Sequence, residues 1–329
     1  MNKHIALALL ALSATAVHAQ SQIKIYGVAD VGLVVEHGGP AGNVTGIGSG
    51  VASGSRLGFK GTEDLGGGLA ANFVLESGIS YDTGASGQGG LTFGRQSNVG
   101  LSGKFGALTA GRQYSPYYKT LRDTADPFAD GLAGTAMNIF TPNTRIDNAV
   151  EYVSPTFADV TADVSYGFGE VAGDSAKKRT MSAAVSYAPG QLKLVLAHNR
   201  REDATATDRA RNTLLAARYK FGMITGHVAH AVNRGLGTND SRDTLLGLCV
   251  ESGPHRVATS AVLHNDRTGA NKDAHQYAVA YLYGLSKRSD LYTAYGHMDN
   301  RNGATFKIGN ATEAGSGNAA FNLGMRHIF

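Results

Sequence analysis

The chain has 329 residues and a formal net charge of +4, from 30 Lys and Arg against 26 Asp and Glu. A positive charge this small and dispersed does not indicate a nucleic-acid partner. The 44 glycines and the absence of tryptophan weigh against a conventional helical enzyme. A content of 42% hydrophobic and only 17% charged residues is typical of a protein wall with one apolar face and one face exposed to water. Cys249 is the only cysteine, so it forms no internal disulfide and is expected to fill space on a strand.

The first segment carries the pattern of a secretory signal peptide. Lys3 supplies a positive charge, residues 5–17 form an apolar stretch, and Val17-His18-Ala19 offers small residues at an A-x-A-like cleavage site. The apolar stretch is shorter than the roughly 18 to 20 residues that span a bilayer. Residues 1–19 are therefore predicted to be cleaved, leaving one domain over residues 20–329.

The remainder of the chain alternates apolar and polar residues with a period of two, in segments of about ten residues. In residues 275–287, for example, Tyr277, Val279 and Tyr281 fall on one face and Ala278 on the other. Charges and glycines interrupt every window that could form a membrane helix. Only a closed barrel of strands could then cross a membrane, because hydrocarbon offers the backbone no water to bond.

The connections between these segments alternate between very short and long. The short ones fall near residues 65–68, 105–106, 188–190, 221–223 and 253–255, and the long ones cover residues 37–54, 114–143, 200–209 and 300–318. Tight turns at one end and long loops at the other are typical of membrane barrels. The segments number about sixteen, at residues 21–35, 55–64, 69–82, 92–104, 107–118, 144–154, 159–169, 178–188, 191–202, 211–221, 224–234, 242–252, 256–267, 275–287, 290–299 and 319–329.

The whole mature chain resembles the trimeric general porins of β-proteobacteria and Neisseria. The matching motifs are Ile25-Tyr26-Gly27-Val28-Ala29-Asp30, the run from Ser55 to Gly68, Phe93-Gly94-Arg95-Gln96, Gly111-Arg112-Gln113, Asp126-Pro127-Phe128, Arg145-Ile146-Asp147-Asn148 and the ending from Gly324 to Phe329. The resemblance implies an all-β protein, a transmembrane antiparallel β-barrel of about 16 strands that assembles as a homotrimer. It also implies a third long loop, residues 119–143, that folds inward and narrows the pore.

The resemblance further implies charged groups at the constriction. The loop contributes Asp123, Asp126 and Asp130. The opposing wall positions are Arg56, Arg95 and Arg145, with Lys60 and Arg112 as weaker members.

Alternation along the strands tests the orientation of the wall residues. Arg56 and Lys60 alternate with apolar neighbours, and so does Arg145, which places all three in the lumen. Strict alternation groups Arg95 and Arg112 with lipid-facing residues, where an arginine costs roughly 2–4 kcal/mol at the bilayer midplane. A bulge near Gly94 re-aims Arg95 in the interpretation we favour. A structural alternative is that some of these arginines only pair with acids such as Asp147 or Glu151.

The resemblance therefore implies an outer-membrane channel for passive diffusion of small hydrophilic solutes. Several wall arginines against three loop aspartates predict a mild preference for anions, and cation preference follows instead if the aspartates dominate the narrowest section. The expected partners are other copies of the chain, outer-membrane lipid, small anionic or neutral solutes, and the barrel assembly machinery, which reads the terminal Phe329 in such proteins. No cofactor or metal is expected.

Other functions remain open at this point. The sequence carries no catalytic signature, so an enzyme is not expected. An outer-membrane barrel enzyme such as a phospholipase would need a lipid-facing serine and histidine pair, however, and their proximity does not follow from sequence. A surface adhesin acting through residues 37–54 and 300–318 is a third possibility, and a soluble secreted β-sandwich is a fourth.

Overall fold

A computed structural model describes residues 22–39, 42–129, 131–237, 239–309 and 317–329. The signal peptide predicted for residues 1–19 lies outside these ranges and stays a prediction. Within these ranges, no helix has the length and apolarity needed to cross a bilayer.

The described residues form seventeen strands and one short α-helix. The strands are β1 (Gln22–Gly39), β2 (Gly42–Ser49), β3 (Arg56–Gly66), β4 (Leu69–Gly78), β5 (Gln96–Gly103), β6 (Gly106–Tyr114), β7 (Arg145–Val153), β8 (Val160–Gly167), β9 (Thr180–Tyr187), β10 (Leu192–Glu202), β11 (Arg209–Phe221), β12 (Ile224–Arg234), β13 (Asp240–Ser252), β14 (His255–Asp266), β15 (Ala274–Gly284), β16 (Ser289–Asn300) and β17 (Ala319–Ile328). The helix α1 (Pro116–Thr120) lies between β6 and β7.

The strands close into one antiparallel barrel with sixteen wall positions. Each strand from β3 to β17 pairs with the next, and β17 pairs with β1 from Val28↔Ile328 to His37↔Ala319. On its other edge β1 pairs first with β3 and then with β2, so these two described strands share one wall position. The prediction of about sixteen antiparallel strands is confirmed.

The prediction that residues 37–54 form a long loop is wrong for most of that segment. The chain stays extended to Gly39, returns as β2 and leaves the wall only at residues 50–55. The glycine-rich sequence of β2 lacks strand propensity, but pairing with β1 from Val31 to Gly39 satisfies its backbone groups. Tertiary pairing therefore overrides the local turn signal.

Several predicted strands are too long, among them residues 69–82, where the strand ends at Gly78. The segment predicted at residues 92–104 is a strand only from Gln96 to Gly103. The segment predicted at residues 107–118 ends at Tyr114, because Pro116 begins α1 and the Ser115 hydroxyl caps that helix by accepting from the Tyr118 amide.

The two ends and the two faces of the barrel differ. Two-residue turns such as 67–68 and 222–223 close one end, and longer connections such as 168–179 and 267–273 close the other. Large apolar side chains point outward and are about half exposed, among them Leu196 and Leu215. Exposed aromatic residues gather at the short-turn end, namely Phe105, Tyr152, Tyr187, Tyr219, Phe221 and Tyr283. Apolar side chains facing outward and an aromatic girdle at the strand ends define a lipid-facing surface.

Candidate functional site

The connection between β6 and β7, residues 115–144, lies inside the barrel, as predicted for the third loop. Hydrogen bonds from wall side chains hold it at successive strands. The Arg218 guanidinium on β11 donates to the Asp123 carbonyl at 3.1 Å, and the Arg256 guanidinium on β14 donates to the Pro127 carbonyl at 2.8 Å. On β17, the Asn322 side-chain oxygen accepts from the Ala133 amide at 2.7 Å. The loop therefore crosses the lumen bound to the wall.

A partly buried ion network holds the start of the loop. The Lys119 ammonium lies 2.9 Å from the Glu151 carboxylate on β7 and 2.5 Å from the Asp163 carboxylate on β8. At the far end of the loop, the Gln276 amide nitrogen on β15 donates to the Gly134 carbonyl at 2.9 Å.

Apolar packing fills the space between the loop and one side of the wall. Tyr117, Leu121 and Phe140 are the largest loop side chains in this cluster, and each is at most 1% exposed. The inward residues they pack against are small or aliphatic, and include Ala197, Leu214, Ala216, Ala229, Leu245 and Val262. Glycine permits the closest approach, because a Cβ at Gly296 would lie 2.9 Å from the Ala133 carbonyl oxygen.

The loop leaves two adjoining spaces inside the barrel, of about 400 Å³ and about 590 Å³. They share four lining residues, Arg122, Asp123, Ala129 and Arg256. These spaces form the candidate site, and we call them the lumen spaces.

Basic side chains outnumber acidic ones around the lumen spaces. The seven basic residues are Arg56, Arg122, Lys193, Arg218, Lys220, Arg256 and Arg326, and the three acidic residues are Asp123, Asp126 and Glu251. Within the described part of the chain, the ion pairs involve none of Arg56, Lys193, Arg218 and Lys220. Four of the basic side chains at the site therefore form no ion pair within 4 Å among the described residues.

Two of the predicted wall arginines point inward. Arg56 lines the smaller lumen space, and its guanidinium donates to the Ser53 hydroxyl at 2.9 Å. Arg145 is not among the residues that line the two lumen spaces; its guanidinium donates to the Arg95 carbonyl at 2.8 Å and lies 4.8 Å from the centre of the Tyr114 ring.

Arg95 also points inward, but it is paired. Its Nε lies 2.9 Å from the Glu76 carboxylate, both side chains are at most 7% exposed, and the guanidinium also donates to the Tyr114 hydroxyl at 2.7 Å. The residue precedes β5, which begins at Gln96, so the alternation of that strand does not fix its direction. The Arg95 backbone amide donates to the Glu76 carbonyl. The next residue, Gln96, is the one that pairs in register with Glu76.

The two weaker wall candidates lie away from the lumen spaces. Arg112 contacts the exposed Asp147 carboxylate, one of the acids named in the alternative interpretation, and donates to the Gly94 carbonyl. Lys60 follows Arg56 by four residues towards the short-turn end, about 13 Å along the strand. Its ammonium lies 5.1 Å from the centre of the Tyr26 ring.

The loop aspartates differ in what their carboxylates contact. Asp123 forms a two-point ion pair with Arg122, whose guanidinium lies 5.2 Å from the ring centres of both Tyr114 and Tyr118. Asp126 is 3% exposed and accepts hydrogen bonds from loop residues, including the Phe128 amide at 2.9 Å. Asp130 lies outside the described residues.

Sequence reasoning missed most of the basic lining. Arg218 and Lys220 alternate with Tyr219 and Phe221, and Lys193 alternates with exposed leucines, so the same period of two that placed Arg56 inward places them inward as well. The remaining missed residues are Arg122, Arg256 and Arg326. Applying alternation to every strand would have found all of these except Arg122, which lies on the loop.

Phe329 follows β17 and is held against the start of the barrel. Its amide donates to the Gly27 carbonyl and its carbonyl accepts from the Gly27 amide, while the ring is 42% exposed.

Comparisons of sequence place this arrangement among known proteins. A family model described as Gram-negative porin matches residues 6–303. Outer membrane porin protein 32 of Delftia acidovorans is 31% identical, and the alignment covers 99% of each chain. An outer membrane porin protein of Bordetella pertussis is 28% identical, again over 99% of each chain.

Comparison with solved structures gives the same result as the sequence comparison. An anion-selective porin from Comamonas acidovorans has a TM-score of 0.83 and 28% identity, covering 94% of this chain and 100% of that one. A loop-deletion variant of the outer membrane protein OmpT of Vibrio cholerae has a TM-score of 0.71 at 18% identity, over 94% and 99% of the two chains. This second likeness concerns the fold alone.

Proposed function

Because the chain belongs to the Gram-negative porin family, and is therefore an outer-membrane barrel through which small hydrophilic solutes diffuse, we propose that its pore favours anions over cations. The name of the similar Comamonas acidovorans porin states anion selectivity for that protein. For this chain, the proposal depends on the charges around the lumen spaces.

The observation that carries the proposal is the imbalance between seven basic and three acidic lining residues. Ion pairs join Arg122 with Asp123, Arg256 with Glu251, and Arg326 with Asp290, which leaves Arg56, Lys193, Arg218 and Lys220 against Asp126. An excess of one charge in a narrow pore attracts ions of the opposite sign. We propose that Arg56 and Arg145, together with the Arg218 and Lys220 that sequence reasoning missed, form the positive side of the constriction.

A planar-bilayer recording under a salt gradient tests this proposal. The unmodified protein is expected to show a reversal potential on the anion-selective side. The double variant Arg218→Glu, Lys220→Glu should move the potential towards cation selectivity, because it changes the local charge by four units. Arg56→Glu with Arg145→Glu should shift it in the same direction.

A matched control places the same charge change outside the lumen. Lys287→Glu with Arg288→Glu alters two exposed residues of a short turn and should leave the reversal potential almost unchanged at about 0.15 M salt or above, where the screening length is about 8 Å. Clear cation preference of the unmodified protein contradicts the proposal. An equal shift from the control pair contradicts the assignment of the residues.

The assembly of the chain is part of the proposal. We propose a homotrimer, supported by the similar fold of the trimer form of Vibrio cholerae OmpT, and recognition of Phe329 by the barrel assembly machinery. Crosslinking of membranes followed by unheated electrophoresis should give a trimer band. Phe329→Ala should lower the amount of folded barrel in the outer membrane while leaving the pore charges intact.

One contact in the structure is relevant to a catalytic role for the barrel. The Ser289 hydroxyl lies 2.8 Å from the His327 imidazole on the outer face, and the described residues contain no carboxylate paired with that imidazole. A nucleophilic serine needs a base that a third group orients. We propose that the pair is structural, so incubation with phospholipid should give no turnover above that of a Ser289→Ala variant. Turnover that this variant abolishes would favour the enzyme.

A further inference from the structure

A buried carboxylate on β1 organises the segment between β2 and β3, residues 50–55, which we call the inward bend. Asp30 is fully buried. Its Oδ2 accepts from the amides of Ala52 and Ser53 at 3.0 Å and 2.8 Å, and its Oδ1 accepts from the Tyr292 hydroxyl on β16 at 2.7 Å. Hydrogen bonds to a carboxylate are about twice as strong as those between neutral groups. The middle of the inward bend is therefore fixed to Asp30 and, through it, to β16.

The main chain of Asp30 holds both ends of the inward bend as well. Its carbonyl oxygen accepts from the Gly50 amide at 2.8 Å and from the Ser55 hydroxyl at 2.9 Å. The Asp30 amide in turn donates to the Ser55 hydroxyl oxygen at 3.1 Å. Gly50 has a φ of +69°, and a Cβ there would lie 3.0 Å from the Gly54 Cα, so the bend is tight. One residue thus fixes the start, the middle and the end of this segment.

The inward bend contacts the third loop backbone to backbone. The Val51 carbonyl accepts from the Leu132 amide at 2.5 Å, and a Cβ at Gly131 would lie 2.1 Å from the Ala52 carbonyl oxygen. Val51 and Leu132 are 1% and 3% exposed and belong to the same apolar cluster. Close-packed groups of this kind transmit a displacement to their neighbours. A shift of the bend would therefore move this part of the loop.

The inward bend also holds a basic side chain of the pore. The Arg56 guanidinium donates to the Ser53 hydroxyl at 2.9 Å, and the Ser53 amide is one of the two that the Asp30 carboxylate accepts from. Arg56, Ser53 and Leu132 all line the smaller lumen space. The bend thus joins a wall arginine and a loop residue at one edge of the pore.

We propose that Asp30 is a positioning residue of the pore, which fixes the aperture by holding the inward bend against Leu132 and Arg56. Asp30 is not among the residues that line the lumen spaces, so it acts through the bend and not on the solute. Without the carboxylate, buried donors of the bend lose their acceptor, which is costly. The bend then detaches and the third loop follows. Only the role of Arg56 in ion selectivity rests on the proposed function.

Single-channel recording of the full-length barrel tests the hold on the loop. Asp30→Asn keeps the size of the side chain but removes its charge and replaces one acceptor with a donor. Because a hydrogen bond to a charged group changes an equilibrium by roughly tenfold or more, the fraction of time spent in secondary conductance levels should rise by roughly tenfold or more. Tyr292→Phe keeps the charge, removes one donor and should raise this fraction several-fold.

A pair of reversal-potential measurements tests the hold on Arg56. Under a salt gradient, Arg56→Gln should shift the potential clearly less in the Asp30→Asn barrel than in the unmodified barrel. Comparing the two shifts cancels the effect of the Asp30 charge itself. Equal, non-zero shifts overturn the proposal. A shift of zero in both barrels contradicts the proposed function instead, and the conductance levels, which do not depend on the sign of selectivity, then decide the role of Asp30.

Asp243→Asn is the matched control. Asp243 is another buried wall carboxylate, 1% exposed, and within the described residues its hydrogen bonds go to Asn233 and His264. The same change there should leave the conductance levels of the unmodified barrel. An equal rise in the control, or no rise in Asp30→Asn, overturns the proposal. A lower urea midpoint of Asp30→Asn with an unchanged current also overturns it, because the role would then be structural only. Tyr292→Phe decides the outcome if Asp30→Asn does not fold.

Discussion

The inner wall of the barrel is built in two different ways. Under the third loop, strands β10 to β14 present small and aliphatic side chains such as Leu214 and Val262, and the loop covers them. Beside the lumen spaces, the wall presents ionic groups such as the Glu76–Arg95 pair and Arg56. The difference teaches that the wall under the loop is mainly apolar, with single buried polar side chains such as Gln276 and Asn322 that bond the loop backbone, while the uncovered wall is ionic.

The largest expected effect tests the ionic side. Arg95→Met leaves the buried Glu76 carboxylate without its cation and should lower the free energy of unfolding by about 3–5 kcal/mol. Urea unfolding of the detergent-solubilised barrel, followed by circular dichroism, measures this. Adding Glu76→Gln should recover most of the loss, and a double variant as unstable as the single one would show that the pair does not stabilise this side.

A somewhat smaller effect tests the covered side. Leu121→Ala removes a fully buried loop side chain and should cost about 3 kcal/mol through lost burial and the cavity left behind. The loosened loop should also make single-channel conductance noisier in a bilayer recording. Leu215→Ala is the control with the same chemistry, because its side chain faces lipid or detergent. A similar cost in both variants would contradict tight packing under the loop.

The smallest effect is expected outside both regions. Arg112 contacts Asp147, whose side chain is 62% exposed, and exposed ion pairs contribute about 0.5 kcal/mol. Arg112→Ala should therefore change the urea midpoint only slightly and leave the reversal potential almost unchanged. A selectivity shift as large as that of the Arg218→Glu, Lys220→Glu variant would instead place Arg112 at the constriction.

The sequence predicted strands best where one face of the strand is exposed to lipid. Alternation of Tyr277, Val279 and Tyr281 reflects burial against hydrocarbon, which constrains every second residue, so strands β7 to β17 were predicted to within a few residues. It was least informative where pairing alone holds the chain. The glycine-rich β2 has few side chains to reveal its state, and only its partner β1 makes it a strand.

The candidate site was only partly predictable, because only its strand residues follow a periodic pattern. Arg56 and Arg145 follow from motif resemblance together with alternation. The pairing of Arg95 with Glu76 depends on residues 19 positions apart meeting across two strands, and no local pattern encodes that contact. The positions of Asp123 and Asp126 depend on the path of an irregular loop, for which there is no periodicity to read.

The attachment of the third loop has a consequence for how such a surface can diversify. Its tethers come from strand residues such as Arg218, Gln276 and Asn322, and from the Val51 carbonyl, which accepts from the Leu132 amide. None of these contacts involves the connections 168–179 or 267–273 at the cell exterior. Those segments can therefore lengthen, shorten or change sequence without removing the tethers that hold the third loop in the pore.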